Sequence, residues 1–179
     1  GEGALAAVEA ADETLREIAG AVRGSRDDVA AKVRDALERI RTLEKENRSL
    51  KDKLASGAGT DLAAGAVDVG GVKVVATLIE GADSGALRNA VDQLKDRLKT
   101  AVIVLASVEP TGKIVLVAGV TADQTARLKA GEIVGNVASQ VGGKGGGRPD
   151  FAQAGGQDAS RLPEALGSVA GFVRAKLGL

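Results

Sequence analysis

The chain has 179 residues, with 24 basic and 24 acidic side chains, two phenylalanines as its only aromatic residues, and neither cysteine nor histidine. These absences exclude disulfides, zinc sites built on cysteine or histidine, thiol nucleophiles and histidine general bases, and they nearly exclude base stacking on an aromatic platform. Because the net charge is zero, any recognition of a polyanion must come from local clusters of charge.

No apolar run approaches the roughly 18 residues of a membrane span, so no membrane partner is expected. The chain opens at Gly1 and contains no methionine, which we interpret as an excised or processed piece of a longer protein. The lack of cysteine is consistent with a reducing compartment, and we expect a cytoplasmic location.

Residues 1–55 predict a helical hairpin or coiled coil. Apolar residues of 2–23 share one helical stripe, and a second helix is predicted over 27–55. Its seam follows alternating steps of four and three residues through Val29, Val33, Ala36, Ile40, Leu43, Asn47, Leu50 and Leu54. The first segment can fold back on the second as a long antiparallel arm. Asn47 is either buried in the seam, where it would fix the register, or close to solvent.

Residues 56–66 are small and glycine-rich and predict a linker, after which residues 67–179 predict a globular domain. Its elements are predicted as a strand over 72–79, a helix from 83 or 84 to 98, strands over 101–107 and 113–120, a helix from 121 or 123, a helix over 132–141, and a final helix from Pro163 to Leu177. This order predicts an α/β (α+β) fold, in which helices cover a small sheet.

The segment 142–156, GGKGGGRPDFAQAGG, is predicted to be a loop, and seven of its fifteen residues are glycine. Such density indicates positive φ angles or a close approach to another group. Main-chain N–H groups could cradle phosphate, with Lys144 and Arg148 adding charge, or the segment could be a structural turn system. A P-loop is excluded because Gly145 follows Lys144, and a dinucleotide fingerprint is excluded because the glycines follow a predicted helix.

The glycine segment, with apolar strands before it and a helix after it, resembles the hallmark of the C-terminal domain of alanyl-tRNA synthetases. That domain is related to one found in DHH phosphoesterases. The stretch LEKENRSLKDKLA and the opening GEGAL fit the same family, and the resemblance covers essentially the whole chain.

The resemblance implies a non-catalytic module that contacts the outer corner of tRNA-Ala and serves active sites in the rest of the synthetase. It also implies that the coiled coil takes part in forming a homodimer. ATP, magnesium and zinc would belong to the catalytic and editing domains, so neither a cofactor, a metal nor a catalytic residue is expected in this chain.

Two alternatives remain beside this interpretation. The chain could be a purely structural coiled-coil dimerisation module, or, as the less favoured reading, the substrate-binding domain of a DHH-type phosphoesterase. The related phosphoesterases carry histidine after three glycines, whereas this chain has Arg148 after Gly147. The resemblance therefore implies phosphate affinity without hydrolysis.

The candidate RNA-binding residues are the glycines, two cations and one amide of the segment: Gly142, Gly143, Lys144, Gly145, Gly146, Gly147, Arg148, Gln153, Gly155 and Gly156. Arg148 could instead pair with Asp150, Gln153 could instead brace the loop, and Phe151 is expected to be a core plug. A row seven residues apart, Arg34, Arg41 and Arg48, could follow phosphates or form a solvated helix face.

Overall fold

The computed structural model describes the backbone of residues 1–179 and the side chains of residues 1, 3–51 and 62–179. The chain forms two compact units, Gly1–Arg48 and Ser49–Leu179. Within the described part of the chain, no helix combines the length and the hydropathy that crossing a membrane requires.

The first unit contains helix α1 (Glu2–Ala21) and the beginning of helix α2 (Val29–Ala64), so both predicted helices are present. Ala19 and Val29, which flank the turn between them, are buried. Val22 and Val33 are half-buried. The remaining large apolar residues of the predicted interface in this unit are exposed: Leu5, Val8, Leu15, Ile18, Ile40 and Leu43. The antiparallel coiled coil expected between the two helices is therefore not seen in this unit, and Asn47 lies in solvent.

The prediction of a linker over 56–66 is wrong for most of these residues, because α2 continues to Ala64. Only Gly65 and Ala66 separate the helix from the first strand. The segment contains no proline, and extending an existing helix by one residue is far easier than starting a new one. The unit boundary after Arg48 accordingly lies inside α2 and not in a linker.

The second unit is built on one mixed, six-stranded sheet in the order β1-β2-β3-β4-β6-β5. Its strands are β1 (Val67–Val69), β2 (Val72–Leu78), β3 (Ala101–Val108), β4 (Ile114–Val120), β5 (Lys144–Gly147) and β6 (Phe151–Gly156). Only β2 and β3 are parallel. The strands predicted over 72–79, 101–107 and 113–120 are confirmed, and β3 is buried on both faces as expected.

Helices cover both faces of this sheet, as the predicted α/β class requires. Helix α3 (Ser84–Leu98) packs on one face. The opposite face carries α4 (Ala130–Gln140), α5 (Leu162–Gly167) and α6 (Val169–Leu177). The seam of α3 is fully buried at Leu87, Val91 and Leu94, which confirms its predicted periodicity.

Three local predictions for this unit are wrong. The helix expected from 121 or 123 is a single 3-10 turn over Ala122–Gln124. The C-terminal helix is divided between α5 and α6 at Ser168, although Pro163 occupies the first turn of α5 as predicted. The glycine segment is not a loop but the hairpin of β5 and β6.

Gly119 of β4 lies directly beneath α3, and a Cβ atom there would fall within the Val91 side chain. We expect Gly119→Ala to lower the free energy of unfolding by about 1–3 kcal/mol, because the core must shift to admit the methyl group. Gly171→Ala is the control, since its Cβ would lie in open space on a helix, and it should raise stability by about 0.5–1 kcal/mol. Urea denaturation measures both, and equal effects would contradict this packing.

Candidate functional site

The β5–β6 hairpin needs glycine because its two strands approach each other very closely. Gly145 pairs with Ala154, and Gly147 pairs with Ala152. A Cβ atom on Gly145 would lie 2.7 Å from the Cα atom of Ala154, and one on Gly147 would lie 2.6 Å from the Cα atom of Ala152. Close approach is therefore the reason for these glycines, and within the segment only Gly142 has a positive φ angle.

Helix α4 packs on one side of the hairpin, and here too a glycine permits the close approach. A Cβ atom on Gly131 would lie 3.2 Å from the carbonyl oxygen of Gly147, so the helix rests on bare backbone. The N–H of Ala130 donates to the carbonyl of Pro149 at 2.9 Å, and the N–H of Gly143 donates to the carbonyl of Ala138 at 2.8 Å. Both ends of β5 are thereby tied to α4.

Helix α3 braces β6 from the other face of the sheet. Gln153 Nε2 donates to Ser84 Oγ at 3.2 Å, and the Arg88 guanidinium lies 4.8 Å from the centre of the Phe151 ring. Phe151 is partly buried against the cluster under α3, close to its expected position as a core plug. The sequence allowed two roles for Gln153, RNA contact or bracing of its own loop. In the structure Gln153 bonds to a side chain of α3 and not to the loop.

Arg148 is paired with Asp150 in a two-pronged arrangement. Its Nε donates to Oδ1 at 3.1 Å and its Nη2 to Oδ2 at 3.2 Å. Partial burial acts to raise the pKa of the Asp150 carboxyl, but hydrogen bonds from Arg148 and from the Asp150 backbone outweigh it, so that pKa is lowered. Arg148 remains 70% exposed, but its charge already has a partner.

The opposite end of the hairpin forms an open cleft of about 510 Å³. Its lining consists of four glycines, two lysines and an amide: Gly142, Gly143, Gly155, Gly156, Lys113, Lys144 and Gln157. A second cavity of about 440 Å³ shares Lys113 and Gln157 and continues toward the turn at Thr111 and Gly112. Both lysines are exposed, and neither forms an ion pair with any described residue.

The register of three strands brings the two lysines to one cleft. Lys144 pairs with Gly155 across the hairpin, and Gly156 pairs with Ile114, the residue that follows Lys113. Because neighbouring strands lie about 4.8 Å apart, Lys113 and Lys144 stand on either side of the end of β6. Sequence analysis missed Lys113 and Gln157, since only the strand pairing reveals them.

The cleft thus includes five of the predicted site residues, Gly142, Gly143, Lys144, Gly155 and Gly156. Gly146 is exposed on β5, and a Cβ atom there would meet nothing within 4 Å. Arg148 and Gln153 are not among the cleft residues. In the first unit, Arg34, Arg41 and Arg48 are all exposed on α2.

Chemically, the cleft offers cationic side chains above uncovered main chain, which suits an anion. A group of three or more acidic, histidine or cysteine side chains placed to hold a metal does not occur in the part of the molecule described.

The spacing of the hairpin predicts a sharp contrast between two neighbouring glycines. Gly145→Ala should lower the free energy of unfolding by about 1–3 kcal/mol, because the methyl group meets Ala154. Gly146→Ala should change it by less than about 1 kcal/mol, since its methyl group enters open space. Urea denaturation of the two variants compares them, and similar losses would show that the strands do not pair in this register.

The fold and the glycine hairpin define the class of the protein. Residues 71–175 match the family model described as the DHHA1 domain, and the chain belongs to that family. A magnesium complex of RecJ from Thermus thermophilus has the same fold, with a TM-score of 0.51 and 13% identity over 89% of this chain and 28% of that one.

The more specific matches are to alanyl-tRNA synthetases. The C-Ala domain of the Aquifex aeolicus enzyme superposes with a TM-score of 0.57 and is 31% identical, covering 61% of this chain and 97% of that domain. The alanine–tRNA ligase of Methylibium petroleiphilum is 57% identical over 173 residues, which is 97% of this chain and 20% of the relative. These matches confirm the resemblance found in the sequence, and the chain spans about a fifth of the length of such curated relatives.

Proposed function

We propose that this chain is a non-catalytic docking module of an alanine–tRNA ligase, and that it binds the outer corner of folded tRNA-Ala at the cleft between Lys113 and Lys144. Aminoacylation and editing, with their ATP, magnesium and zinc, would belong to other parts of the enzyme. This role requires no cofactor of the chain's own and is exercised in the cytoplasm, where tRNA is charged. The observation that carries the proposal is the glycine-floored cleft with its two unpaired lysines.

Phosphate is the RNA group that this cleft suits best. The floor has no side chains at four positions, so a phosphate group can approach the two lysines without meeting a side chain from the floor. Lys113 and Lys144 supply compact charges that neutralise phosphate without requiring a fixed geometry. Arg148 contributes less, because a new phosphate contact must compete with Asp150.

The mode of binding proposed is recognition of shape and not of base sequence. Phe151 lies against Arg88, and Phe172 packs against the core beneath Lys176, so neither phenylalanine offers a free ring for stacking. Backbone phosphates and 2′-hydroxyls of a folded RNA surface remain as contacts. A few such contacts bind at about micromolar affinity or weaker, and attachment to the rest of the enzyme would raise the effective concentration of tRNA.

Reversal of one cleft charge tests this proposal. Lys113→Glu should weaken binding of a tRNA-Ala transcript about three- to tenfold and reduce the salt dependence of the binding constant by about one phosphate contact. Fluorescence titration at two salt concentrations measures both quantities. Lys144→Glu should behave in the same way, whereas Arg148→Ala should have a smaller effect.

Arg174→Glu is the matched control, because it makes the same change of charge at an exposed position of α6 that does not line the cleft. It should leave affinity within about twofold, since Arg174 does not line the cleft. Equal losses in Lys113→Glu and Arg174→Glu would indicate attraction without a site. An unchanged affinity in both lysine variants would exclude the cleft as the contact.

A second function, homodimerisation through a coiled coil, is favoured by one observation. The seam residues Ile40 and Leu43 of α2 are 50% and 56% exposed in the single chain, although their heptad spacing is that of a helix–helix interface. We propose that a second copy covers this seam. The exposed row Arg34, Arg41 and Arg48 would then either remain a solvated face or follow tRNA phosphates.

A charge in the seam tests dimerisation. Ile40→Asp together with Leu43→Asp should convert a dimer to monomer, because two carboxylates per chain would be buried without partners. Sedimentation equilibrium measures the molar mass. Thr42→Asp with Lys45→Asp is the control pair, since both residues are off the seam on the same helix turns. A wild-type chain that is monomeric at high concentration would exclude this function without affecting the tRNA proposal.

A further inference from the structure

Gln157 lies where the two cavities at the end of the hairpin meet. It lines the cleft of about 510 Å³ together with Lys113 and Lys144, and it lines the neighbouring cavity of about 440 Å³ together with Thr111. Its side chain is exposed, and within the described part of the chain its amide has no hydrogen-bond partner. The contact proposed between the lysines and phosphate leaves this amide without a role.

The end of α4 holds the backbone of Gln157 in place. The N–H groups of Gln157 and Asp158 both donate to the carbonyl of Val141, at 2.9 and 3.0 Å. A Cβ atom on Gly156 would lie 2.5 Å from Val141 Cγ2, so the chain just before Gln157 packs closely on the residue that follows α4. Main-chain contacts thus position Gln157, and its side chain remains available to a ligand.

Strand order places this amide between the two lysines. Lys113 precedes β4, Gln157 follows β6, and Lys144 begins β5. Strand β6 is the middle one of these three strands. Since adjacent strands lie about 4.8 Å apart, an anion held by either lysine is one strand away from the amide.

The chemistry of the three side chains divides their roles. A lysine ammonium group only donates hydrogen bonds, whereas a glutamine amide both donates and accepts them. Phosphate is common to RNA and DNA, so the lysines attract both. The ribose 2′-hydroxyl donates and accepts, and it is the group by which a protein distinguishes RNA from DNA. Among the described residues that line the larger cleft, Gln157 has the one side chain that can accept its proton.

The position and the lining of the cleft favour a ribose over a base as the partner of Gln157. A ribose is bonded directly to the phosphates on either side of it, whereas a base lies beyond the sugar. A phosphate held by Lys113 or Lys144 therefore brings a ribose next to the amide. A base, in contrast, is bound most strongly by stacking on an aromatic ring, and none lines either cavity among the described residues.

We propose that Gln157 makes the cleft specific for RNA, because its Oε1 accepts a hydrogen bond from a ribose 2′-hydroxyl. This inference rests on the tRNA binding proposed above and adds a specificity-determining residue to it. Lys113 and Lys144 supply attraction to any strand of phosphates, and Gln157 supplies the preference for ribose.

Replacement of the amide by an apolar side chain of similar size tests this role in the whole 179-residue chain. Gln157→Leu should weaken binding of the tRNA-Ala transcript about three- to tenfold, the value of one net hydrogen bond. The salt dependence of binding should not change, because no charge is removed. Gln93→Leu is the matched control, since it makes the same change at an exposed position of α3 that does not line the cleft, and it should leave the affinity unchanged. Fluorescence titration at two salt concentrations measures all three chains.

Transcripts that each lack a single 2′-hydroxyl in the loops of the outer corner identify the partner of the amide. One of them should bind the wild-type chain about three- to tenfold more weakly than the unmodified transcript does. The same transcript should bind Gln157→Leu as tightly as the unmodified one, because both changes remove the same hydrogen bond.

Two results would overturn the role of Gln157: full affinity of Gln157→Leu for the unmodified transcript, or equal losses from every missing hydroxyl in both chains. If Lys113→Glu still weakened binding, the tRNA site would stand without Gln157. Unchanged binding in both Lys113→Glu and Lys144→Glu would remove the tRNA site and this inference together.

Discussion

The candidate site depends on the close approach of β5 to β6 and of α4 to β5. Gly145 and Gly147 lie so near to the backbone of β6 that no Cβ atom fits, and Gly131 lets α4 rest on β5. The glycines therefore serve packing first. As a consequence, the main chain is uncovered at Gly146 and in the cleft, because glycine has no side chain to shield it from solvent.

Ion pairing within the fold decides which charges remain available on a chain whose net charge is zero. Arg148, Lys73 and Lys176 each lie against a carboxylate. Lys113 and Lys144, in contrast, share an open cleft with glycines. A positive site can thus exist without an overall field, since the potential at a surface is set by the groups within about one Debye length.

Most of the fold, but less of the site, could be predicted from the sequence. Strands β2, β3 and β4 and the seam of α3 follow local periodicity, which is why they were predicted correctly. The hairpin was predicted as a loop because glycine has a low strand propensity, and pairing with β6 overrides it. The heptads of α2 predict a helix–helix interface, but a heptad pattern does not say which helix would cover Ile40 and Leu43.

The sequence by itself determined the order of the elements, the absence of cysteine and histidine chemistry, and the family to which the glycine segment belongs. Only the tertiary structure decided that Lys113 joins Lys144 and that Arg148 is held by Asp150. The reason is that strand pairing joins distant segments, and its register determines which residues become neighbours. No local pattern carries that information.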